Sequence, residues 1–208
     1  MKRVLRFFKR LVFGVLALIA LLIIVGFIFI KTSPQFGGEH SENDVLRYEA
    51  SGHYDKENGK FINTMETSLN MDLKNIWATT KMFIKGNPNK SPKSELPYID
   101  LEGKDVETLD TNRFVWFGHS AFLLQLDGKN ILLDPMLGQT PAPHPMLGTS
   151  RYNKNLPLDI DELPQVDMVI ISHDHYDHLD YESIQQLKDK VKEFYVPLGV
   201  GAHLKEWG

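Results

Sequence analysis

The longest apolar stretch of the chain lies near its amino terminus. Residues 11–30 read LVFGVLALIALLIIVGFIFI, without one polar side chain. At about 1.5 Å of rise per residue, such a helix spans roughly 30 Å, the thickness of a bilayer's hydrocarbon core. A buried core helix is disfavoured, because no polar face runs along the stretch. The pattern predicts a single transmembrane helix.

The residues on either side of this stretch predict its orientation. Residues 1–10 carry five basic side chains, and Lys31 follows the apolar run. By the positive-inside bias, the amino terminus stays in the cytoplasm and residues after 30 lie outside it. A cleaved signal peptide is the alternative, but its apolar core is about 7–15 residues long and a small-residue cleavage site follows it. KTSPQF follows here, so we predict an uncleaved anchor.

Residues 31–110 alternate polar connectors with one periodic segment. Residues 31–60 are rich in Gly, Ser, Asn, Glu and His and predict a linker or a surface loop, and the proline-bearing segment 86–97 predicts another polar connector. Between them, residues 63–85 repeat apolar positions at helical spacing. We expect this helix to pack on a sheet. The alternative is a lid or a membrane-skimming helix, since Trp77, Met82, Phe83 and Ile84 could sit at a lipid interface.

The pattern changes to short β-prone segments near residue 111. Predicted strands cover residues 113–117, 121–126, 130–133, 166–172 and 193–196, with a predicted helix at 181–191. Asp127 and Gly128 form a hairpin signal between the second and third strands. Strand, helix and strand in succession favour an α/β sandwich over an all-β domain.

Composition and charge exclude several classes of protein. Apolar residues make up 42% and charged residues 24%, which fits neither a disordered chain nor a polytopic membrane protein. The absence of cysteine excludes disulfides, thiolate metal sites and a cysteine nucleophile. The net charge of −4 divides into +6 for the first 31 residues and −10 for the other 177. A part so acidic is not expected to grip nucleic acid through its phosphates.

The candidate chemistry lies directly after the strand predicted at 166–172. Three of the eight histidines fall within residues 173–178, which read His-Asp-His-Tyr-Asp-His. Residues two apart in an extended chain point the same way, so His173 and His175 can face one metal ion. The turn that follows can bring Asp177 and His178 to a second ion. Imidazole and carboxylate ligands suit zinc, and also iron or manganese.

Two such ions predict a hydrolytic reaction. They would bridge a water, lower its pKa toward neutrality and produce a hydroxide nucleophile for an ester or phosphodiester. Asp177 could serve both as a ligand and as the catalytic proton acceptor. The alternative is an acidic surface loop without metal, although the carboxyl end of a buried strand is where α/β sites usually lie.

These residues resemble the signature of the metallo-β-lactamase fold superfamily of metal-dependent hydrolases. Within residues 113–208, four motifs come in the same order as in its branch of N-acyl-phosphatidylethanolamine-hydrolysing phospholipase D and bacterial relatives: residues 116–120 (WFGHS), 133–135 (LDP), 172–180 (SHDHYDHLD) and 196–199 (VPLG). The resemblance implies that His173 and His175 bind one metal and that Asp177 and His178 bind the other.

The resemblance also implies roles for two residues near the metals. His119 would contact substrate or support the ligands, and Asp134 would support a ligand. A histidine satisfied at a strand end and an aspartate that only caps a loop remain open as alternatives.

The chain departs from the family pattern after His178. The family fold has two ββα-type halves, and the second supplies further metal ligands, whereas His203 is the single histidine that follows here. We therefore expect residues 111–208 to form the first half of an αββα sandwich. A basic flank (1–10), the anchor (11–30) and a linker with a helical preface (31–110) would precede it. We expect a truncated chain or the amino-terminal part of a longer protein that, with fewer than three ligands per ion, binds metal weakly and is inactive alone.

These expectations combine into one functional hypothesis. The full-length form would be a membrane-anchored binuclear hydrolase, phospholipase D-like, with two zinc ions and a phospholipid or another phosphodiester or ester as substrate, its catalytic part extracytoplasmic. The alternatives are a non-catalytic fragment with the anchor and a partial metal site, a lactonase or other ester hydrolase of the same superfamily, and a periplasmic binding module with a structural metal.

Overall fold

A long helix opens the chain. The computed structural model describes residues 2–65 and 72–208. Helix α1 covers Lys2–Thr32, and its residues 3–32 are long and apolar enough to cross a membrane, by length and composition. Most of its apolar side chains are exposed, which differs from a core helix of a globular domain, and Phe29 in its last turn is half-buried against other residues.

The segment predicted as a linker is largely folded, contrary to the prediction. It contains helix α2 (Glu42–Ala50) and a two-stranded hairpin, β1 (Tyr54–Asp55) and β2 (Lys60–Phe61). Ser41 and Asp44 form a reciprocal capping box at the start of α2. The rings of Tyr48, Tyr54 and Phe61 pack together, with centroids 5.1–5.6 Å apart. The segment is rich in polar residues, so its composition did not predict this small aromatic cluster.

Helix α3 is shorter than the predicted helix at 63–85. It covers Leu73–Lys85, begins after Asp72, whose carboxylate accepts the backbone N–H of Asn75 at 2.7 Å, and ends at Gly86. Residues 63–65 are not helical, and residues 66–71 lie outside the described part of the chain. Every residue of α3 is exposed. The expectation that this helix packs on the sheet was therefore wrong.

A five-stranded mixed sheet lies at the centre of the part that follows α3. Its strands lie in chain order: β3 (Arg113–Gly118), β4 (Ala121–Leu126), β5 (Lys129–Leu133), β6 (Val166–Ile170) and β7 (Val191–Tyr195). The first three pair antiparallel and the last three parallel. Asp127 and Gly128 both have positive φ (48° and 74°), as a primed hairpin turn requires. The α/β class is confirmed.

Three short helices accompany the sheet: α4 (Gly103–Glu107), α5 (Tyr181–Leu187) and α6 (Gly201–Trp207). Helix α5 begins after Asp180, as predicted, because that carboxylate accepts the backbone N–H of Ser183. It ends at Leu187 rather than 191, since one 3₁₀ turn intervenes and Val191 already pairs with Val166 in the sheet.

The core lies on one face of the sheet. Val115, Leu123, Leu132 and Val169 pair across four strands and are buried together with side chains from α5 and α6. On the opposite face, the described residues leave a row of side chains exposed: Phe114, Trp116, Ile170 and Tyr195. The αββα sandwich therefore remains a prediction.

Asp167, near the start of β6, contacts both neighbouring strands. Its carboxylate accepts the backbone N–H of Asn130 on β5 at 2.9 Å and contacts Lys129 on β5 at 3.4 Å and Lys192 on β7 at 2.8 Å. The hydrogen bonds from Lys192 and Asn130 lower the pKa of Asp167 to about 2.

Candidate metal site

Three connections converge at one edge of the sheet. They are the β3–β4 turn with His119, the end of β5 with Asp134, and the β6–α5 loop that holds residues 173–178. Strands β3, β5 and β6 run in the same direction, so their carboxyl ends meet at this edge. This edge is the usual place for a site in an α/β fold.

Asp134 anchors the loop that carries the histidines. Its carboxylate accepts the backbone N–H of Ser172 at 2.6 Å and the hydroxyl of the same residue at 2.7 Å. Oδ2 also lies 2.8 Å from Nδ1 of His178. Burial raises the pKa of the Asp134 carboxyl, but hydrogen bonds from His178 and Ser172 outweigh it and leave the pKa below its ordinary value. The carboxylate is thus held in its charged form.

His178 is fixed through one ring nitrogen. Besides Asp134, Nδ1 has the hydroxyl oxygens of Ser120 at 3.1 Å and Ser172 at 3.2 Å. A proton on Nδ1, held by the carboxylate, leaves the lone pair of Nε2 for a metal. Nε2 lies 3.9 Å from Oδ2 of Asp177. The ring is therefore oriented as a ligand.

Asp177 lies between two histidines. Its Oδ2 is 3.1 Å from Nε2 of His119, in addition to its approach to His178. The potential ligand atoms of His119, Asp177 and His178 lie within 4.8 Å of one another, close enough to hold one ion. The sequence left the role of His119 open, and the structure brings its ring to the metal motif.

The other two histidines of the motif lie beside this group. The ring centroid of His173 is 4.6 Å from that of His175 and 3.9 Å from that of His178. Backbone N–H groups of His178 and Leu179 both donate to the carbonyl of His175, which closes the turn. The ring of His173 therefore lies between those of His175 and His178, while the division of the motif residues between two ions remains a prediction.

No role was predicted from the sequence for two hydroxyl residues at the site, although both lie within the motifs 116–120 and 172–180. Ser120 and Ser172 both contact Nδ1 of His178, and Ser172 also lies 2.9 Å from Nδ1 of His173. The signal for them was positional, because each stands next to a histidine at the carboxyl end of a strand.

A cleft of about 360 Å³ opens beside the motif. It is lined by Pro141, Asp174, His175, Tyr176 and Asp177. Both oxygen and imidazole groups of the motif are therefore accessible to a small substrate group.

A row of rings connects this cleft to the end of α1. Phe29 packs edge-on against Phe36 at 5.5 Å, and Phe36 packs edge-on against Tyr176 at 6.4 Å. Phe29 also contacts His144, on the loop that follows Pro141, at 6.2 Å. The last turn of α1 therefore lies close to the cleft.

The chain matches known sequences over this region. Residues 129–208 match the family profile described as Beta-lactamase superfamily domain. An uncharacterized protein of Mycobacterium tuberculosis is 35% identical over 154 residues, which cover 72% of this chain and 40% of the relative. N-acyl-phosphatidylethanolamine-hydrolyzing phospholipase D 1 of Caenorhabditis elegans is 30% identical over 118 residues, 55% of this chain and 33% of the relative.

A third relative is named as a metal-dependent hydrolase. A UPF0173 metal-dependent hydrolase of Saccharolobus solfataricus is 36% identical over 92 residues, 44% of this chain and 35% of the relative. The chain thus spans at most about two fifths of the length of these relatives.

Proposed function

We propose that this chain is part of a membrane-anchored hydrolase that cleaves a phosphodiester of a phospholipid. Its resemblance to the metallo-β-lactamase superfamily of metal-dependent hydrolases is confirmed. The observation that carries the proposal is the group of His119, Asp177 and His178, with His173 and His175 beside it. Together they offer four imidazoles and one carboxylate at the edge of the sheet where α/β sites lie.

The residues present fit a metal ion. Imidazole and carboxylate donors suit zinc, iron or manganese, and the carboxylate of Asp134 behind His178 is the support that metal-bound histidines usually have. His173 and His175 would hold one ion and Asp177 and His178 a second, with His119 in reach of Asp177. When bound, the metal supplies a Lewis acid and makes water a nucleophile at neutral pH.

The chain's own residues would position the reaction. Asp177 is partly exposed and borders the cleft, so its carboxylate can accept a proton from the attacking water. His119 holds that carboxylate in place through Nε2. The Ser120 and Ser172 hydroxyls keep the His178 ring from rotating.

The phospholipid substrate and the anchor are supported by two further observations. The Caenorhabditis elegans relative is named for hydrolysis of a phospholipid. Helix α1 is long enough to span a bilayer, and its last turn reaches the cleft through Phe29, Phe36 and Tyr176. With the basic flank in the cytoplasm, the site would lie on the outer side of the membrane.

Metal content and turnover test the proposal together. The full-length form, with the 208-residue chain beside it, is placed in phospholipid vesicles, stripped with a chelator, reloaded with zinc, manganese or iron, and assayed for metal bound and head group released. The variants are made in the full-length form, because the 208-residue chain alone is expected to bind metal weakly and to release no head group. The double variant His173→Ala with His175→Ala should lose both, and the exposed control His53→Ala should keep both. Unchanged metal in the double variant would refute the ligand assignment.

Two other outcomes decide between the alternatives. Metal bound by the full-length form without turnover of any phosphodiester would favour a non-catalytic binding role. Turnover of a lactone or simple ester in place of the phospholipid would favour another hydrolase of the superfamily.

A further inference from the structure

Helix α3 presents a continuous apolar face that nothing in the described part of the chain covers. Leu73 is 85% exposed, Trp77 69%, Phe83 85% and Ile84 78%. Successive helical residues are about 100° apart, so these four side chains and that of Ile76 lie on one side of the helix. A helix with such a face normally packs on a core, and α3 has no buried residue.

The same helix is basic, in contrast to the chain around it. Lys74, Lys81 and Lys85 lie in one stripe beside the apolar face, because they are seven and four residues apart. The stretch 73–94 holds five lysines and no acidic residue, whereas residues 32–208 together carry a charge of −10. The charge of α3 is therefore complementary to an anionic surface. The described part of its own acidic chain does not provide that surface, since every residue of α3 is exposed.

The length and composition of α3 together indicate which surface its apolar face contacts. Thirteen residues make a helix of about 20 Å, too short to cross the roughly 30 Å hydrocarbon core. A short helix with an apolar face, tryptophan and phenylalanine on it and lysines along its border has the composition of helices that lie in the membrane interface. Lysine stems can cover apolar surface while their ammonium groups reach lipid phosphates.

The connector after α3 attaches it to the loop that borders the cleft. Lys90 accepts the hydroxyl of Tyr152 at 2.8 Å through its carbonyl, and Leu96 exchanges two hydrogen bonds with the side chain of Asn153. This loop also contributes Pro141 to the cleft. An α3 held at a bilayer would thus hold the rim of the cleft near the same surface.

We propose that α3 is an interfacial helix that lies on an anionic lipid leaflet, with Trp77 and Phe83 below the head groups and the lysine stripe among them. The inference rests on the proposed membrane anchor, since α1 places the chain at a bilayer. It adds a second, electrostatic attachment to lipid that α1 does not provide.

The absence of cysteine allows a direct test. Single variants Ile84→Cys on the apolar face, Ala78→Cys on the other side of α3 and Leu18→Cys within α1 each receive a spin label. The full chain is placed in vesicles of phosphatidylcholine with a minority of phosphatidylglycerol, or of phosphatidylcholine alone. Accessibility to oxygen, which concentrates in lipid, is compared with accessibility to a water-soluble nickel complex.

In the anionic vesicles, the label at 84 should be accessible to oxygen and protected from nickel, and the label at 78 should show the reverse. In phosphatidylcholine alone, the protection at 84 should fall. Replacing Lys74, Lys81 and Lys85 by Gln should lower the ratio of docked to undocked helix by roughly fivefold per lysine.

The outcomes separate this inference from the proposed function. A label at 84 in water, with the label at 18 in lipid, overturns the interfacial helix and leaves the anchor intact. Both labels in water overturn the anchor and the inference together. Protection at 84 that persists without lipid and rises with protein concentration means that a second copy covers α3, which also overturns the inference. Docking of α3 in a full-length form that hydrolyses no phosphodiester supports the inference and removes the chemistry proposed above.

Discussion

Asp134 and His178 form a carboxylate–imidazole pair in which Oδ2 lies 2.8 Å from Nδ1, across 44 residues of sequence. Because Asp134 is 7% exposed and also receives two hydrogen bonds from Ser172, it cannot turn away from the ring without losing all three contacts. This pair decides which nitrogen of His178 is available to a ligand.

Asp134→Asn should weaken metal binding more than it disturbs the fold. The amide oxygen can still accept the N–H of Ser172, but the amide nitrogen then faces Nδ1 of His178 and favours a proton on Nε2, the nitrogen that should bind metal. Loss of such support typically costs 10–100-fold in metal affinity. Metal titration of the chain measures this, with the exposed Asp189→Asn as control. Equal affinities in the two variants would contradict the role of Asp134.

His119→Asn removes the imidazole ring but should leave the backbone conformation of its turn intact. His119 has a positive φ of 46°, which asparagine tolerates better than most residues. The variant should keep its unfolding temperature yet lose the contact to Asp177, and with it at least tenfold in metal affinity or turnover. His119→Val, with a β-branched side chain at the same φ, should in addition unfold at lower temperature. Full metal affinity in His119→Asn would remove His119 from the site.

Asp167→Asn should change how stability responds to acid. A carboxyl whose pKa falls to about 2 on folding stabilises the native state above its unfolded pKa, and this contribution disappears as pH falls toward 2. The variant should therefore unfold at lower temperature than the parent at pH 7, and the difference should close in strong acid. Thermal unfolding in detergent micelles across this pH range measures it. A gap that stays constant with pH would mean that packing, not charge, explains the loss.

Two neighbours on β5 should differ in their effect on stability. Leu132 is completely buried, whereas Ile131 faces the partly exposed side of the sheet. Leu132→Ala should cost about 2–5 kcal/mol of unfolding free energy, because it leaves a cavity in the core. Ile131→Ala should cost clearly less. Denaturant unfolding compares them, and a larger loss at 131 would mean that the opposite face is covered in the folded protein.

The strands of the sheet were predictable because their signals are local. Hydrophobic alternation, the Asp127 and Gly128 turn and the Asp180 cap each act over a few residues, and β3 to β6 lie within a residue or two of their predicted bounds. The prediction failed where distant contacts decide. Segment 33–62 is attached to α6, since Lys205 pairs with Asp44 at 3.0 Å and Trp207 donates to the carbonyl of Pro34, contacts that no local pattern reveals.

The candidate site was also predictable where its pattern is local, and it was incomplete where distant contacts add to it. The spacing of His173, His175, Asp177 and His178 is a local pattern, so the sequence could nominate all four. The sequence could not show that His119 meets Asp177 or that Ser120 meets His178, because those pairs lie 58 residues apart. Such contacts depend on which strand ends share an edge of the sheet.

The ring contacts from Phe29 through Phe36 to Tyr176 place the cleft beside the end of α1. In the proposed anchored state, the site moves laterally with the leaflet and does not sample the bulk solution. Its turnover of a lipid then depends on the mole fraction of that lipid in the bilayer. Diluting the substrate with inert lipid slows the reaction, whereas diluting the vesicles with buffer leaves each site's surroundings unchanged.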